Sequence, residues 1–146
     1  MTVLAWDGRF LAADQQADTS GIVRRSVKIR VAPGGHLIGH CGDKARGMAI
    51  ENWYCESVQG LKTTFPPRSK PDEWARLVVV TPDGVFEYED CDIAMPVLDP
   101  YMAWGSGADF ALGAMHAGAS AEKAVEAAIT HCASCGVGVT VLELLR

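Results

Sequence analysis

Three short turn sequences, each containing an Asp-Gly or a Pro-Gly pair, divide much of the chain into pairs of short apolar runs. The turns and their flanking runs are Asp7-Gly8 between 3–6 and 10–13, Pro33-Gly34-Gly35 between 26–31 and 36–41, and Pro82-Asp83-Gly84 between 77–81 and 85–89. Such pairs reverse the chain tightly, and between apolar runs they predict β-hairpins. The chain is therefore predicted to contain antiparallel sheet.

The segment between the second and third hairpins changes to helical spacing. Residues 43–61 carry two adjacent apolar stripes, one that includes Ala45 and Met48 and one that includes Ile50, which predicts a helix covered on more than one side. The helix is expected to end before segment 65–71, because its three prolines exclude a helix or a central strand. That segment is the expected exposed loop.

The C-terminal part of the chain predicts two further helices. A short strand near 101–104 and the sequence Gly105-Ser106-Gly107 lead into a helix over 108–117, which Gly118 is suited to end. Residues 121–132 carry apolar side chains at spacings of three and four, so they predict a helix with one continuous apolar face.

A last strand is predicted over 138–144, so the predicted order is strands, helix, strands, two helices and strand. This order indicates helices layered on largely antiparallel sheets, an α+β fold. The length of 146 residues fits one domain, and the hydrophobic fraction of 49% is typical of a packed globular protein.

Charge and composition exclude several classes of function. A net charge of -5 has the wrong sign for a protein whose main partner is nucleic acid. No apolar run approaches the roughly 20 residues that cross a membrane, and the N-terminus lacks the features of a signal peptide. Five cysteines are an odd number, which argues against a disulfide framework. The sequence therefore predicts a cytoplasmic protein without membrane or nucleic-acid partners.

A zinc site is an alternative interpretation of the cysteines. Six soft ligands are available, namely His36, His40, Cys41, His131, Cys132 and Cys135. A single C-x-x-C without a second pair is a weak metal signal, and reduced thiols in the core are the favoured interpretation. We therefore predict neither a metal nor another cofactor.

Thr2 can combine a nucleophile and a base once Met1 is removed. Its hydroxyl attacks an amide poorly unaided, but an α-amine, whose pKa is ordinarily about 8, can accept the hydroxyl proton. Asp14 ends the strand that returns toward Thr2, and Lys28 follows in a predicted strand over 26–29. A partly buried ammonium there would lower the pKa of the hydroxyl, with Asp14 orienting it. Alone, Lys28 has the ordinary alternative of a solvated strand lysine.

Four motifs in one order resemble the proteasome β-type N-terminal nucleophile hydrolases, especially the HslV-like peptidases. The motifs are the threonine strand, turn and second strand over 1–17, Val27-Lys28-Ile29, Ile38-Gly39-His40-Cys41-Gly42, and Trp104-Gly105-Ser106-Gly107. The stretch from 123 to 144 is also similar, so the resemblance covers nearly the whole chain.

The resemblance implies a fold, an activity and a set of partners. The implied fold is a four-layer αββα sandwich, and the implied activity is a threonine-type peptidase. Its implied site residues are Thr2 as nucleophile, Asp14 and Lys28 as the polarising pair, the Gly42 N–H as oxyanion donor, and the Ser106 hydroxyl near the terminal amine. The implied partners are peptide or unfolded-protein substrates, further copies in a homo-oligomeric ring, and an ATP-driven unfoldase.

Two departures from the family pattern favour an alternative. Residues 132–136 stand where related subunits often carry Asp-x-x-Ser/Thr-Gly, so an acidic residue is missing, although Thr130 and Ser134 offer hydroxyls. The proline-rich segment and residues 71–74 replace most of a second helix, and such short versions resemble those of phage and prophage genomes. The alternative is a catalytically silent ring protein with a role in assembly or partner binding.

Overall fold

The computed structural model describes residues 1–146. In chain order the elements are β1 (Val3–Trp6), β2 (Phe10–Asp14), β3 (Gln16–Thr19), β4 (Ile22–Arg25), β5 (Ile29–Val31), β6 (Leu37–Gly42), α1 (Lys44–Val58), β7 (Ala75–Thr81), β8 (Gly84–Tyr88), β9 (Met95–Val97), β10 (Met102–Gly105), α2 (Ala108–His116), α3 (Ala121–His131) and β11 (Val139–Glu143). They form two units. None of the three helices combines the length and apolar character that crossing a membrane requires.

The first unit comprises Met1–Ile29 and Asp99–Glu143. Its four-stranded sheet has the order β10-β1-β2-β11, and every neighbouring pair is antiparallel. Helices α2 and α3 pack on this sheet. The buried contact is made mainly by small side chains, which allow helices and strands to approach closely: Val3, Ala5, Ala12, Ala103, Ala111, Ala121, Ala124, Val125 and Ala128.

A separate two-stranded ribbon, β3 and β4, extends the first unit and was not expected from the sequence. Ser20 and Gly21 join its strands with φ angles of 50° and 78°, so both lie in the left-handed region that tight hairpin turns use. All four residues of β4 are exposed. The pair Ser20-Gly21 was the only local signal of this turn. The flanking residues lack the alternation of apolar and polar side chains by which a strand is predicted.

The second unit comprises Arg30–Leu98 and Leu144–Arg146, with a five-stranded sheet of order β5-β6-β7-β8-β9. Helix α1 packs on β6 and β7. The Asp43 side chain caps the helix by accepting a hydrogen bond from the N–H of Arg46 at 2.9 Å. Trp53 packs edge to face on Tyr88, with ring centroids 5.3 Å apart. This unit therefore has an aromatic core of its own.

The three predicted hairpins, the three helices and the last strand are confirmed, with two corrections. Met48 in α1 is exposed, so the buried face of that helix follows Ile50, Trp53 and Tyr54 and includes only part of the predicted stripes. Lys28 lies before β5 and not within a strand. The chain is irregular there because it leaves the ribbon, and the N–H of Ser26 bonds to a backbone carbonyl of the segment before β3.

Asp7 connects the first hairpin turn to the start of α3. Its Oδ1 atom accepts hydrogen bonds from the N–H groups of Arg9 at 3.0 Å and Phe10 at 2.8 Å. Its Oδ2 atom accepts from the N–H of Ala121, the first residue of α3, at 2.8 Å. The carboxylate thus supplies acceptors to a turn and to a helix N-terminus, where backbone donors otherwise lack partners.

Replacing Asp7 is expected to destabilise the protein, because three backbone donors lose their acceptor. We expect Asp7→Ala to lower the free energy of unfolding by about 2 kcal/mol. Asp18→Ala is the matched control, since Asp18 is exposed and its carboxylate accepts hydrogen bonds from the Gln16 side chain. We expect this substitution to change the free energy of unfolding by less than about 0.5 kcal/mol. Urea unfolding measures both; equal losses would contradict this assignment.

Candidate active site

The side chain of Asp14 is fully buried and accepts four hydrogen bonds. Its Oδ1 atom accepts from the N–H of Val3 at 3.1 Å and from the ammonium of Lys28 at 2.8 Å. Its Oδ2 atom accepts from the N–H groups of Gln16 at 3.2 Å and Gly136 at 3.1 Å. A carboxylate without water is stable only with such partners. Asp14 therefore ties together four separate stretches of the chain.

Lys28 places a positive charge at the beginning of the chain. It is 9% exposed, and besides Asp14 its ammonium donates to the carbonyl oxygen of Met1 at 2.7 Å. The acceptor is the carbonyl group of the peptide bond between Met1 and Thr2. The structure therefore brings together the start of the chain, Asp14 and Lys28.

The backbone of Thr2 is held by the Gly105-Ser106-Gly107 sequence. The N–H of Thr2 donates to the Ser106 hydroxyl oxygen at 3.2 Å, and the Thr2 carbonyl oxygen accepts from the same hydroxyl at 3.2 Å and from the N–H of Gly107 at 3.3 Å. Gly105 has a φ of +94°, and a Cβ atom there would collide with the Thr2 carbonyl group. A glycine is thus required at position 105, where the backbone passes closest to Thr2.

In the family pattern the acidic residue corresponds to Cys132, and a hydroxyl close to that position belongs to Ser134. Its hydroxyl oxygen lies 3.3 Å from the Ser106 hydroxyl oxygen. Thr130, the other suggested hydroxyl, donates instead to the carbonyl oxygen of Glu126 within its own helix at 3.0 Å. The hydroxyl beside Ser106 is therefore that of Ser134.

Two thiols adjoin this group of hydroxyls. The sulfur of Cys132 lies 3.2 Å from the Ser134 hydroxyl oxygen, and that of Cys135 lies 3.9 Å from the Ser106 hydroxyl oxygen. Hydrogen bonds from Ser134 lower the pKa of the Cys132 thiol, whereas burial raises the pKa of the Cys135 thiol to about 12. No group of three or more His, Cys, Asp or Glu side chains is arranged to hold a metal ion.

Gly42, the predicted oxyanion donor, lies in the second unit at the end of β6. Its φ is +99°, and a Cβ atom there would lie 2.5 Å from the carbonyl oxygen of Trp74 and 2.7 Å from its ring. Packing against Trp74 therefore requires a glycine at this position whatever its chemical role. The oxyanion role stays a prediction.

Sequence reasoning did not identify two backbone donors of the site, the N–H groups of Gly107 and Gly136. Backbone groups carry no residue identity, so the available signal was the glycine itself. A Cβ atom at Gly107 would lie 2.8 Å from the side chain of Val3, and one at Gly136 would collide with the side chain of Gln16. The surroundings of Gly107 leave no room for a Cβ atom, whereas at Gly136 the flexible end of the Gln16 side chain could move aside.

Comparison with solved structures shows similarity over the full chain. HslV from Trypanosoma brucei superposes with a TM-score of 0.73 at 19% identity, covering 99% of each chain. BPH of Thiobacillus denitrificans gives a TM-score of 0.70 at 22% identity, and its complex with epoxomicin gives 0.68 at 21%, each covering 100% of both chains.

No protein-family profile and no curated protein sequence matches the chain. The identities to the solved structures are low, so the similarity demonstrates a common fold and leaves the activity to the chemistry of the site. The expected fold class is confirmed: the chain is an α+β protein that shares its fold with HslV and BPH.

Proposed function

We propose that this protein is a threonine-type peptidase that cleaves peptide bonds with Thr2 after removal of Met1. The observation that carries the proposal is the buried Asp14–Lys28 pair, whose ammonium contacts the carbonyl group of Met1. Burying two charges costs desolvation free energy, and perturbed buried charges are concentrated at functional sites. The contact of the Lys28 ammonium with the first peptide bond therefore points to chemistry at that bond. The fold shared with HslV and BPH supports the same activity.

Removal of Met1 changes the site in two ways that favour catalysis. Lys28 loses the Met1 carbonyl oxygen as an acceptor, so one of its donors is freed beside the new N-terminus. The Thr2 amide nitrogen, 3.2 Å from the Ser106 hydroxyl oxygen, becomes a free α-amine. A neighbouring ammonium favours the ionised form of a hydroxyl, and a free amine can accept its proton.

The proposed reaction has two stages. The Thr2 hydroxyl oxygen attacks the substrate carbonyl carbon while the α-amine takes the hydroxyl proton. The resulting ammonium gives this proton to the leaving nitrogen as the C–N bond breaks, and an acyl-enzyme ester remains. Water, losing a proton to the α-amine, then attacks the ester; the Thr2 oxygen regains a proton from that amine as the acid is released. The Gly42 N–H is our proposed donor to the oxyanion, and such a donor contributes about 3 kcal/mol to transition-state stabilisation.

A catalytically silent protein of the same fold is the second candidate. The group beside Ser106 is the hydroxyl of Ser134 and not a carboxylate. The four hydrogen bonds that Asp14 accepts also give this residue a role in stabilising the fold, which needs no catalysis. In this case the chain would serve assembly or partner binding. Covalent reaction at Thr2 distinguishes the two candidates.

Epoxomicin, which is bound to BPH in one of the similar structures, provides the first test. We expect Met1-free protein to gain the mass of one epoxomicin and to cleave unfolded peptides, because Thr2 carries both the hydroxyl and the amine. Thr2→Ala should do neither, whereas Thr2→Ser should keep both activities. Intact-mass spectrometry and a peptide assay measure the outcome. Met1-free wild-type protein without an adduct would support the silent alternative.

The charge pair provides a second test. Lys28→Met removes the ammonium, and we expect kcat/KM to fall about 100-fold or more, as when other pre-organised electrostatic groups are lost. The double variant Asp14→Asn, Lys28→Met removes both buried charges but leaves a single acceptor oxygen for the N–H groups of Val3, Gln16 and Gly136. It should therefore stay less stable than the wild type, and it should be inactive. Lys123→Met, at an exposed lysine, is the control. Cleavage at the wild-type rate by the folded double variant would refute the assigned role.

Assembly into a homo-oligomeric ring is also proposed from the shared fold, with unfolded proteins as substrates and an ATP-driven unfoldase as a partner. The cytoplasmic location stays a prediction. We expect a mass in solution several times the 15.6 kDa of one chain. Sedimentation equilibrium measures it, and a monomer at micromolar concentration would contradict the ring.

A further inference from the structure

The turn that follows α3 brings two cysteine side chains together. The N–H of Cys135 donates to the carbonyl oxygen of Cys132 at 3.1 Å, which closes a tight turn over 132–135. The two sulfur atoms lie 3.6 Å apart, and both thiols are free. The backbone thus already holds the pair close to the spacing of a disulfide, in which the sulfurs are about 2.05 Å apart.

The two thiols differ in the way that stepwise disulfide chemistry requires. Cys132 is partly exposed, and its thiol has a lowered pKa because Ser134 hydrogen-bonds to its sulfur. Cys135 is only 4% exposed. A thiolate-prone, accessible cysteine is the attacking residue in such pairs, and its buried neighbour resolves the intermediate.

We propose that Cys132 and Cys135 form a reversible dithiol–disulfide pair, oxidised by low-molecular-weight disulfides such as oxidised glutathione, and that its oxidation slows chemistry at Thr2. The second part of this inference rests on the proposed peptidase function. The first part stands on the geometry of the turn alone.

The reaction balances in two exchange steps. The Cys132 thiolate, having released its proton, attacks one sulfur of oxidised glutathione; the glutathione S–S bond breaks, and the departing thiolate takes up a proton. Cys135 then loses its proton and attacks the Cys132 sulfur, which releases the second glutathione as a thiol. Two protein thiols are thereby oxidised by two electrons, and one glutathione disulfide is reduced to two thiols.

Oxidation affects the site because the turn carries two of its contacts. The sulfurs must approach by about 1.5 Å to bond. Ser134, within the turn, contacts the Ser106 hydroxyl, and the N–H of Gly136, directly after the turn, donates to Asp14. A shift of the turn therefore displaces partners of both residues, and displacements of about 1 Å in a catalytic site can cost up to 100-fold in rate.

Peptide masses test the redox pair without reference to activity. Trypsin cleaves after Lys123, so peptide 124–146 contains Cys132 and Cys135 and no other cysteine. The full-length protein is equilibrated in glutathione buffers of increasing oxidised fraction, alkylated in denaturant and digested. We expect this peptide to become lighter by two hydrogen atoms and free of alkyl label, and to recover two labels after dithiothreitol. Two labels, or a lasting glutathione adduct, in the fully oxidised buffer would overturn the proposal.

Variants identify the order of attack. Cys135→Ser should trap glutathione on Cys132, because no resolving thiol remains, whereas Cys132→Ser should leave Cys135 unmodified. Cys91→Ser, at an exposed cysteine outside the turn, is the control and should behave as wild type. The reverse pattern of adducts would overturn the assigned roles. The wild-type titration needs no substitution, so misfolding of a variant does not affect the main result.

The rate of epoxomicin addition to Met1-free protein tests the coupling. We expect oxidised wild-type protein to react about tenfold more slowly than reduced protein, and Cys132→Ser to react equally fast in both buffers. Equal rates for the two wild-type forms would overturn the coupling. If neither form reacts, the peptidase proposal fails and the coupling fails with it, while the mass of peptide 124–146 still decides the redox pair.

Discussion

The buried ion pair between Asp14 and Lys28 is the interaction on which the first unit most depends. Removing a carboxylate and an ammonium from water is costly, and the cost is offset only when every polar atom has a partner. Asp14 meets this condition with hydrogen bonds from β1, from β3, from the turn before β11 and from Lys28. Loss of one member of such a pair costs about 3–5 kcal/mol, so these four stretches are energetically coupled.

The same pair determines what can happen at the beginning of the chain. The first peptide bond is held between the Lys28 ammonium and the Ser106 hydroxyl, and the glycines on either side of Ser106 permit this close approach. In the proposed peptidase, removal of Met1 would free an amine on Thr2 and a donor on Lys28 at the same place.

The surroundings of Ser106 distinguish this chain from the family pattern. Cys132 stands where the family pattern has an acidic residue, and the hydroxyl that contacts Ser106 is that of Ser134. A neutral hydroxyl cannot supply the negative charge of a carboxylate, and the Cys135 sulfur lies 3.9 Å from the hydroxyl oxygen of the same Ser106. Residues 132–136 thus lack the acidic residue of the family pattern, and the same residues include the cysteine pair that we propose to regulate Thr2 by oxidation.

The sequence by itself determined the hairpins and the helices, because turn pairs and apolar periodicity are local signals, and its ordered motifs suggested the candidate residues. It could not identify the exposed ribbon of β3 and β4, which lacks apolar alternation, or the backbone donors of Gly107 and Gly136, which have no side-chain signature. It also placed Lys28 in a strand, although the residue precedes β5. The tertiary structure alone decided which hydroxyl meets Ser106 and how the charges of Asp14 and Lys28 are satisfied, because these contacts join residues far apart in the chain whose spacing no local pattern records.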